Sequence, residues 1–206
     1  MNKQTLVCLD RDGTINKDVG WLGRQPNWRE LLVIYDGVVE GICRLKKAGI
    51  PVVVTTNQSG VARDFFPLER IKEVNNAMDE KLRKEGAELD GWYFCPYLDR
   101  EYLEKYNIPL TWLDSEGMRK PEIGMIERAI ADLNLNKPYV WVIGDKAIDV
   151  QTAINANGSG ILVPNEKHPD EDEKVDVDED NVFVAKNFLE AVDIIINNLN
   201  LKINNS

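Results

Sequence analysis

Histidine is nearly absent from this chain of 206 residues: His168 stands alone, in an acidic, proline-containing loop. A histidine nucleophile or general base is therefore not expected, and acid–base chemistry falls to carboxylates. Cysteine is scarce too. Cys8, Cys43 and Cys95 are odd in number and widely spaced, which supports neither a disulfide framework nor a zinc site. Reduced thiols in a cytoplasmic protein fit that usage. No apolar run approaches the roughly 18 residues needed to span a bilayer, and Met1–Gln4 leads straight into an apolar strand pattern, so no signal peptide and no membrane partner are expected. Positive charge is short as well, with 25 Lys and Arg against 35 Asp and Glu and a net charge of −10. That balance disfavours nucleic acid, whose binders usually carry a basic face. A small phosphorylated partner is still admissible, because it needs only a local cluster of cations.

What is present reads as an α/β protein. Hydrophobic residues make up 43% of the chain, enough for one domain with a real core. Apolar runs at Thr5–Asp10, Ile50–Thr55, Gly91–Cys95, Tyr139–Ile143, Gly160–Val163 and Asn181–Ala185 alternate with helical periodicity. Such alternation predicts a three-layer, Rossmann-like fold around a mostly parallel sheet. Val38, Ile42 and Leu45 mark one helix, with Asp36 as its N-cap and Gly49 closing it. Leu68, Ile71, Val74, Met78 and Leu82 trace a second. A third starts at Pro121, a favoured first helical residue, a fourth covers 147–157 and a last 188–199. Residues 1–200 are read as a single domain and 201–206 as a tail. The acidic stretch 166–180 reads as a solvated connection without a function.

Chemistry gathers where ligands bind in parallel sheets, beyond the carboxyl ends of the strands. Asp10-Arg11-Asp12-Gly13-Thr14 ends the first apolar run. Two carboxylates two residues apart at the end of a buried strand repel one another and ionise reluctantly. A Mg²⁺ ion relieves that cost and accepts substrate phosphate oxygens as well. Thr56-Asn57-Gln58-Ser59-Gly60-Val61-Ala62-Arg63 follows the second run and offers hydroxyl and amide donors to phosphoryl oxygens. Arg119-Lys120-Pro121 brings two cations to an expected helix start, whose partial positive charge adds to theirs. Gly144-Asp145-Lys146 ends the fourth run with another acid, and Asp149 lies one helical turn on. Each segment has a plain competitor: a polar strand exit, a polar turn, basic residues beside a helix, a solvated helix start at Asp149. Four of them in one order, each at a strand end or a helix start, argue against coincidence.

That order and these motifs resemble the haloacid dehalogenase superfamily of phosphotransferases, most closely its heptose-bisphosphate and histidinol-phosphate phosphatase branch. The resemblance covers residues 5–200 and implies a capless phosphomonoester hydrolase acting on a sugar phosphate. It implies Asp10 as nucleophile, Asp12 as general acid and then base, and Thr56 and Lys120 as catalytic partners. Asp10, the Asp12 carbonyl and Asp145 would hold Mg²⁺, with Asp149 in support. Arg11, Asp18, Gly20, Trp21, Asn57, Gln58, Ser59, Arg63, Arg119 and Lys146 would contact substrate. Trp21 serves equally well as a core anchor. Neither the interval from Asp12 to Thr56 nor that from Thr56 to Lys120 has room for an inserted cap, so the site should be open. A monomer is expected. Two departures stand out. The branch carries a zinc loop with a Cys-x-His pair and a later Cys-x-Cys pair, whereas this chain has Cys95-Pro96-Tyr97 and no cysteine in 114–118. One thiol cannot supply a four-ligand site, so no zinc is expected; Tyr97, Tyr102, Tyr106, Leu110 and Trp112 are expected to pack the loop instead. Asp18-Val19-Gly20-Trp21 lacks the histidine often found before that glycine. Three rivals remain: a histidinol-phosphate phosphatase, a polynucleotide 3′-phosphatase, and a non-catalytic phosphosugar sensor.

Overall fold

The computed structural model describes residues 4–176 and 179–204; the expectations placed on 1–3, 177–178 and 205–206 lie outside the described residues. Six parallel strands, β1 (Thr5–Leu9), β2 (Val52–Asn57), β3 (Gly91–Cys95), β4 (Tyr139–Gly144), β5 (Ser159–Leu162) and β6 (Val182–Val184), form one sheet in the order β3-β2-β1-β4-β5-β6. The helices are α1 (Trp28–Leu31), α2 (Val38–Lys47), α3 (Leu68–Lys84), α4 (Arg100–Tyr106), α5 (Gly124–Asp132), α6 (Ala147–Asn155) and α7 (Phe188–Asn204). Both sheet faces are covered, which is why the strands are near-continuous apolar runs rather than alternating ones. Val7, Leu9, Trp141 and Ile143 share a core with residues of α2, α3 and α7. Leu6, Cys8, Val140 and Val142 pack on Ile126, Ala129 and Ala153 of α5 and α6. Burial of each such aliphatic side chain contributes on the order of 1.5–3 kcal/mol.

Register places the site. Leu9 lies opposite Val54 on one side and Ile143 on the other. The Asp10 N–H then donates to the Ile143 carbonyl at 2.9 Å, so Asp10 sits level with the Gly144–Asp145 exit of β4. The sheet order reverses between β1 and β4, a topological switch where a crevice opens.

Several local expectations need correction. The N-cap of α2 is Gly37 in a left-handed conformation, not Asp36. The third long helix begins at Gly124 rather than Pro121, because the Glu122 N–H closes a turn onto the Arg119 carbonyl at 2.9 Å first. The helix therefore starts four residues after Lys120 rather than directly after it. The stretch read as a tail from 201 is still helical to Asn204, and Pro169–Lys174 of the acidic stretch forms a 3₁₀ helix. Of the side chains expected to pack the 96–118 loop, Tyr106 and Leu110 are exposed. Leu98, Leu103 and Ala62 fill that space, with Tyr102, Ile108, Trp112 and Leu113 against them.

Candidate active site

An open cleft of about 390 Å³ lies at the carboxyl end of the sheet, lined by side chains from every motif singled out in the sequence. Asp10 leaves β1 into its floor. Lys120 reaches Asp10 Oδ1 at 2.6 Å and Asp149 Oδ1 at 2.5 Å, and its side chain is 2% exposed. Burial works against the Lys120 ammonium, yet the Asp10 and Asp149 carboxylates outweigh it and hold its pKa above the ordinary value. Asp149 is thus no solvated helix start. Burial pushes its carboxyl up to about 7 against the pull of Lys120, and its second oxygen accepts from the Lys146 N–H at 3.3 Å.

Carboxylate oxygens of Asp10, Asp145 and Asp149 converge within 4.8 Å of one another. Burial, with Asp10 nearby, raises the Asp145 carboxyl to about 6, the electrostatic cost that a bound divalent cation removes. Lys120 bonds one oxygen of Asp10 and one of Asp149, and Asp145, which it does not bond, completes a set of oxygen donors of the kind a hard cation takes. The Asp12 carboxylate is committed elsewhere: it accepts from Arg11 Nη2 at 2.6 Å, Gln58 Nε2 at 2.8 Å and Asn16 Nδ2 at 3.0 Å. Gly13, at φ +99°, makes this crowding possible; a Cβ there would lie 2.2 Å from Asp145 Oδ2.

Asn57 clamps the Lys120 backbone at both ends, accepting from its N–H at 3.0 Å and donating to its carbonyl at 3.1 Å. This tie holds Lys120 beside the end of β2. The Thr56 hydroxyl accepts from Gln58 Nε2 at 3.0 Å, which leaves its own proton to donate into the cleft. Ser59 and Arg63 line the wall, and the Arg63 guanidinium lies 3.9 Å over the Tyr102 ring and 5.2 Å from Trp21. Burial and the neighbouring Arg119 charge lower its pKa. Trp21 serves both roles open to it, lining the cleft and packing on Val61, Phe66 and Ile71.

The opposite wall holds Asp18, with Lys167 Nζ at 2.7 Å, His168 Nε2 at 3.3 Å, the Gly20 N–H at 2.6 Å and Lys146 Nζ at 3.8 Å. Burial opposes the Asp18 charge, but hydrogen bonds from Lys167 and Gly20 prevail and lower its pKa. Lys167 and His168 come from the acidic stretch assigned no function, and Asn165, just before them, donates to Asp145 Oδ2 at 2.8 Å. Nothing in the periodicity marked those three. Arg11 is a second correction. Expected against substrate, its side chain is fully buried and bonds Asp12, Gln58 and Asn75 instead.

Similarity to known proteins converges on one family. A HAD-hydrolase-like family model matches residues 117–191. The D-glycero-beta-D-manno-heptose-1,7-bisphosphate 7-phosphatase of Photorhabdus laumondii is 38% identical over 158 residues, covering 76% of this chain and 79% of that protein. The chain belongs to this phosphatase family. Its Escherichia coli relative of the same name is 35% identical over 76% of the chain and 78% of that protein. In fold, the family member matches the D,D-heptose 1,7-bisphosphate phosphatase of B. bronchiseptica, solved with magnesium and phosphate, at a TM-score of 0.76 and 24% identity, across 95% of this chain and 99% of that one.

Proposed function

We propose that the protein removes a phosphate from a sugar bisphosphate, a heptose 1,7-bisphosphate, by way of an aspartyl-phosphate on Asp10. The observation that carries this reading is the Asp10 carboxylate on the floor of the cleft, bonded by Lys120 and with a carboxylate oxygen of the buried Asp145 within 4.8 Å. A carboxylate oxygen of Asp10 bonds to phosphorus while the bond from phosphorus to the sugar oxygen breaks. The Asp12 carboxyl passes its proton to that leaving oxygen. Asp12 then takes a proton from the water that attacks the phosphorus of the acyl phosphate, releasing inorganic phosphate and restoring Asp10. Lys120 and the Thr56 hydroxyl hold the non-bridging oxygens as charge redistributes, and Asn57 keeps Lys120 in place. Asp10, Asp145 and the Asp12 carbonyl would hold Mg²⁺, which neutralises the repulsion between an anionic nucleophile and an anionic phosphate.

Arg63 and Arg119 suit the second phosphate, since Arg63 has no carboxylate partner among the described residues while Lys146 and Lys167 face Asp145 and Asp18. No zinc enters this reading: Cys95 is a buried free thiol, and residues 96–120 supply no second cysteine or histidine. The same proposal has the protein working as a capless monomer in the cytoplasm. No helix among the described residues is long and apolar enough to cross a membrane. Phosphate release from a panel of sugar mono- and bisphosphates, histidinol phosphate and a 3′-phosphorylated oligonucleotide, with Mg²⁺ or EDTA, tests the assignment. Mg²⁺-dependent preference for the heptose bisphosphate is expected, with turnover lost in Asp10→Asn. Preference for histidinol phosphate or the oligonucleotide would reassign the substrate, and silence across the panel would favour a phosphosugar sensor.

A further inference from the structure

The Arg11 guanidinium is a fully buried charge beside the site, and it does not line the cleft. A buried charge needs partners, and its partners define a chain of contacts running from α3 to the general acid. Asn75 Oδ1 accepts from Arg11 Nη1 at 2.9 Å. Arg11 Nη2 donates to Asp12 Oδ2 at 2.6 Å and to Gln58 Oε1 at 2.9 Å. Gln58 returns a bond from Nε2 to the same Asp12 oxygen at 2.8 Å. Asn75 itself is 5% exposed and stands in the apolar stripe of α3, flanked by the buried Ile71, Val74 and Met78. A polar residue in that stripe is unfavourable unless it is bonded, and the Asn75 side chain is bonded by Arg11.

We infer that Asn75 is a positioning residue for the proposed proton transfer: through Arg11 it fixes the direction in which Asp12 presents its carboxyl to the leaving oxygen. The inference rests on the Asp12 role proposed above. Arg11 is joined to Asp12 by the backbone, so its own side chain must be anchored from outside the loop to hold Asp12 in one rotamer. Asn75 supplies that anchor from a rigid helix. Gln58 completes a fork around one Asp12 oxygen, and Asn16 holds the other at 3.0 Å. Misplacing a catalytic group by about 1 Å costs on the order of a hundredfold, while general acid help is worth roughly 10²–10⁴. Its value depends on the leaving group, because an alkoxide needs the proton and a nitrophenolate does not.

The test compares first-turnover rates, by rapid quench with Mg²⁺ present, for a sugar phosphate and for p-nitrophenyl phosphate. Asn75→Leu should slow release of the sugar alcohol roughly ten- to hundredfold while changing nitrophenolate release less than about threefold. Asn75→Ser, which keeps an acceptor for Arg11, should recover most of the loss and covers the case in which Asn75→Leu does not fold. Equal losses on both substrates, or no loss on either, would overturn the inference. Asp12→Asn serves as the reference: if it lacks the leaving-group selectivity, the general-acid role itself falls, whereas selectivity in Asp12→Asn but not in the Asn75 variants sinks only the positioning role.

Discussion

Replacing Lys120 with methionine isolates the cation on which the whole cleft floor depends. Its ammonium touches Asp10 and Asp149 at 2.6 and 2.5 Å with a side chain 2% exposed, so its loss leaves two buried carboxylates without their shared partner. Breaking a buried pair in this way costs about 3–5 kcal/mol. For a chain of this size each kcal/mol moves Tm by about 2–4 °C, which gives a loss of about 6–20 °C. The pH dependence has a definite sign. A carboxyl whose folded-state pKa is raised above its unfolded value costs stability above that raised pKa and ceases to cost once it binds a proton. Burial already lifts Asp149 to about 7, and removing Lys120 lifts it further, so the deficit should be larger at pH 8 than at pH 5.5. Urea denaturation of wild type, Lys120→Met, Asp149→Asn and the double variant in EDTA reads this directly. The double variant should lose less than the sum of the singles by at least about 1 kcal/mol. A Lys120→Met protein within about 1 kcal/mol of wild type at pH 8, or strict additivity in the cycle, would refute the reasoning.

Mg²⁺ at a hundredfold excess over its Kd should add about 2.7 kcal/mol to unfolding; the gain should be larger at pH 7.5 than at pH 5, because Asp145, raised to about 6 by burial, must lose its proton to bind. A Tm indifferent to Mg²⁺ at both pH values would remove the cation from the Asp10–Asp145 pair. Gly13→Ala places a Cβ 2.2 Å from Asp145 Oδ2 at a φ of +99°, and titration calorimetry should show Mg²⁺ binding weakened at least about tenfold. Unchanged binding would mean the loop relaxes freely. Elemental analysis of the purified protein should find zinc well below one atom per chain, and one zinc per chain would show that Cys95 has partners the proposal does not count.

The parallel sheet, its strands and the acids at their ends were legible because they follow from periodicity and from what parallel sheets do with their carboxyl ends. Asp10, Thr56 and Lys120 could be assigned to one cleft from the sequence, with Asp145 beside Asp10, since each follows a buried run or stands at an expected helix start. Failures came where a side chain's partner is distant in sequence. Arg11 reads as a substrate ligand when only its neighbours Asp10 and Asp12 are considered; its burial depends on Asn75, 64 positions away. Asn165, Lys167 and His168 lay hidden in a stretch whose net acidity suggested solvent, yet Glu171 of that stretch accepts from the Ala147 N–H at 2.7 Å and docks it on the start of α6. Pro121 misled because a proline that suits a first helical turn also suits the turn before one.

The same physics explains why neither charge sign alone announces the site. Along the cleft, Asp10, Asp12, Asp18 and Asp149 alternate with Arg63, Arg119, Lys120, Lys146 and Lys167, so the floor is close to neutral inside a protein of net charge −10. An anionic substrate entering a uniformly acidic surface would be repelled; entering this cleft it meets cations whose carboxylate partners are already satisfied. Arg63 differs from the lysines in that aromatic rings hold it and no carboxylate is paired with it among the described residues. Its charge is therefore the one most available to a second phosphate. The lysines of the opposite wall would first have to give up Asp18 or Asp145. Discrimination between a bisphosphate and a monophosphate should for that reason reside on the Trp21–Arg63–Tyr102 side of the cleft.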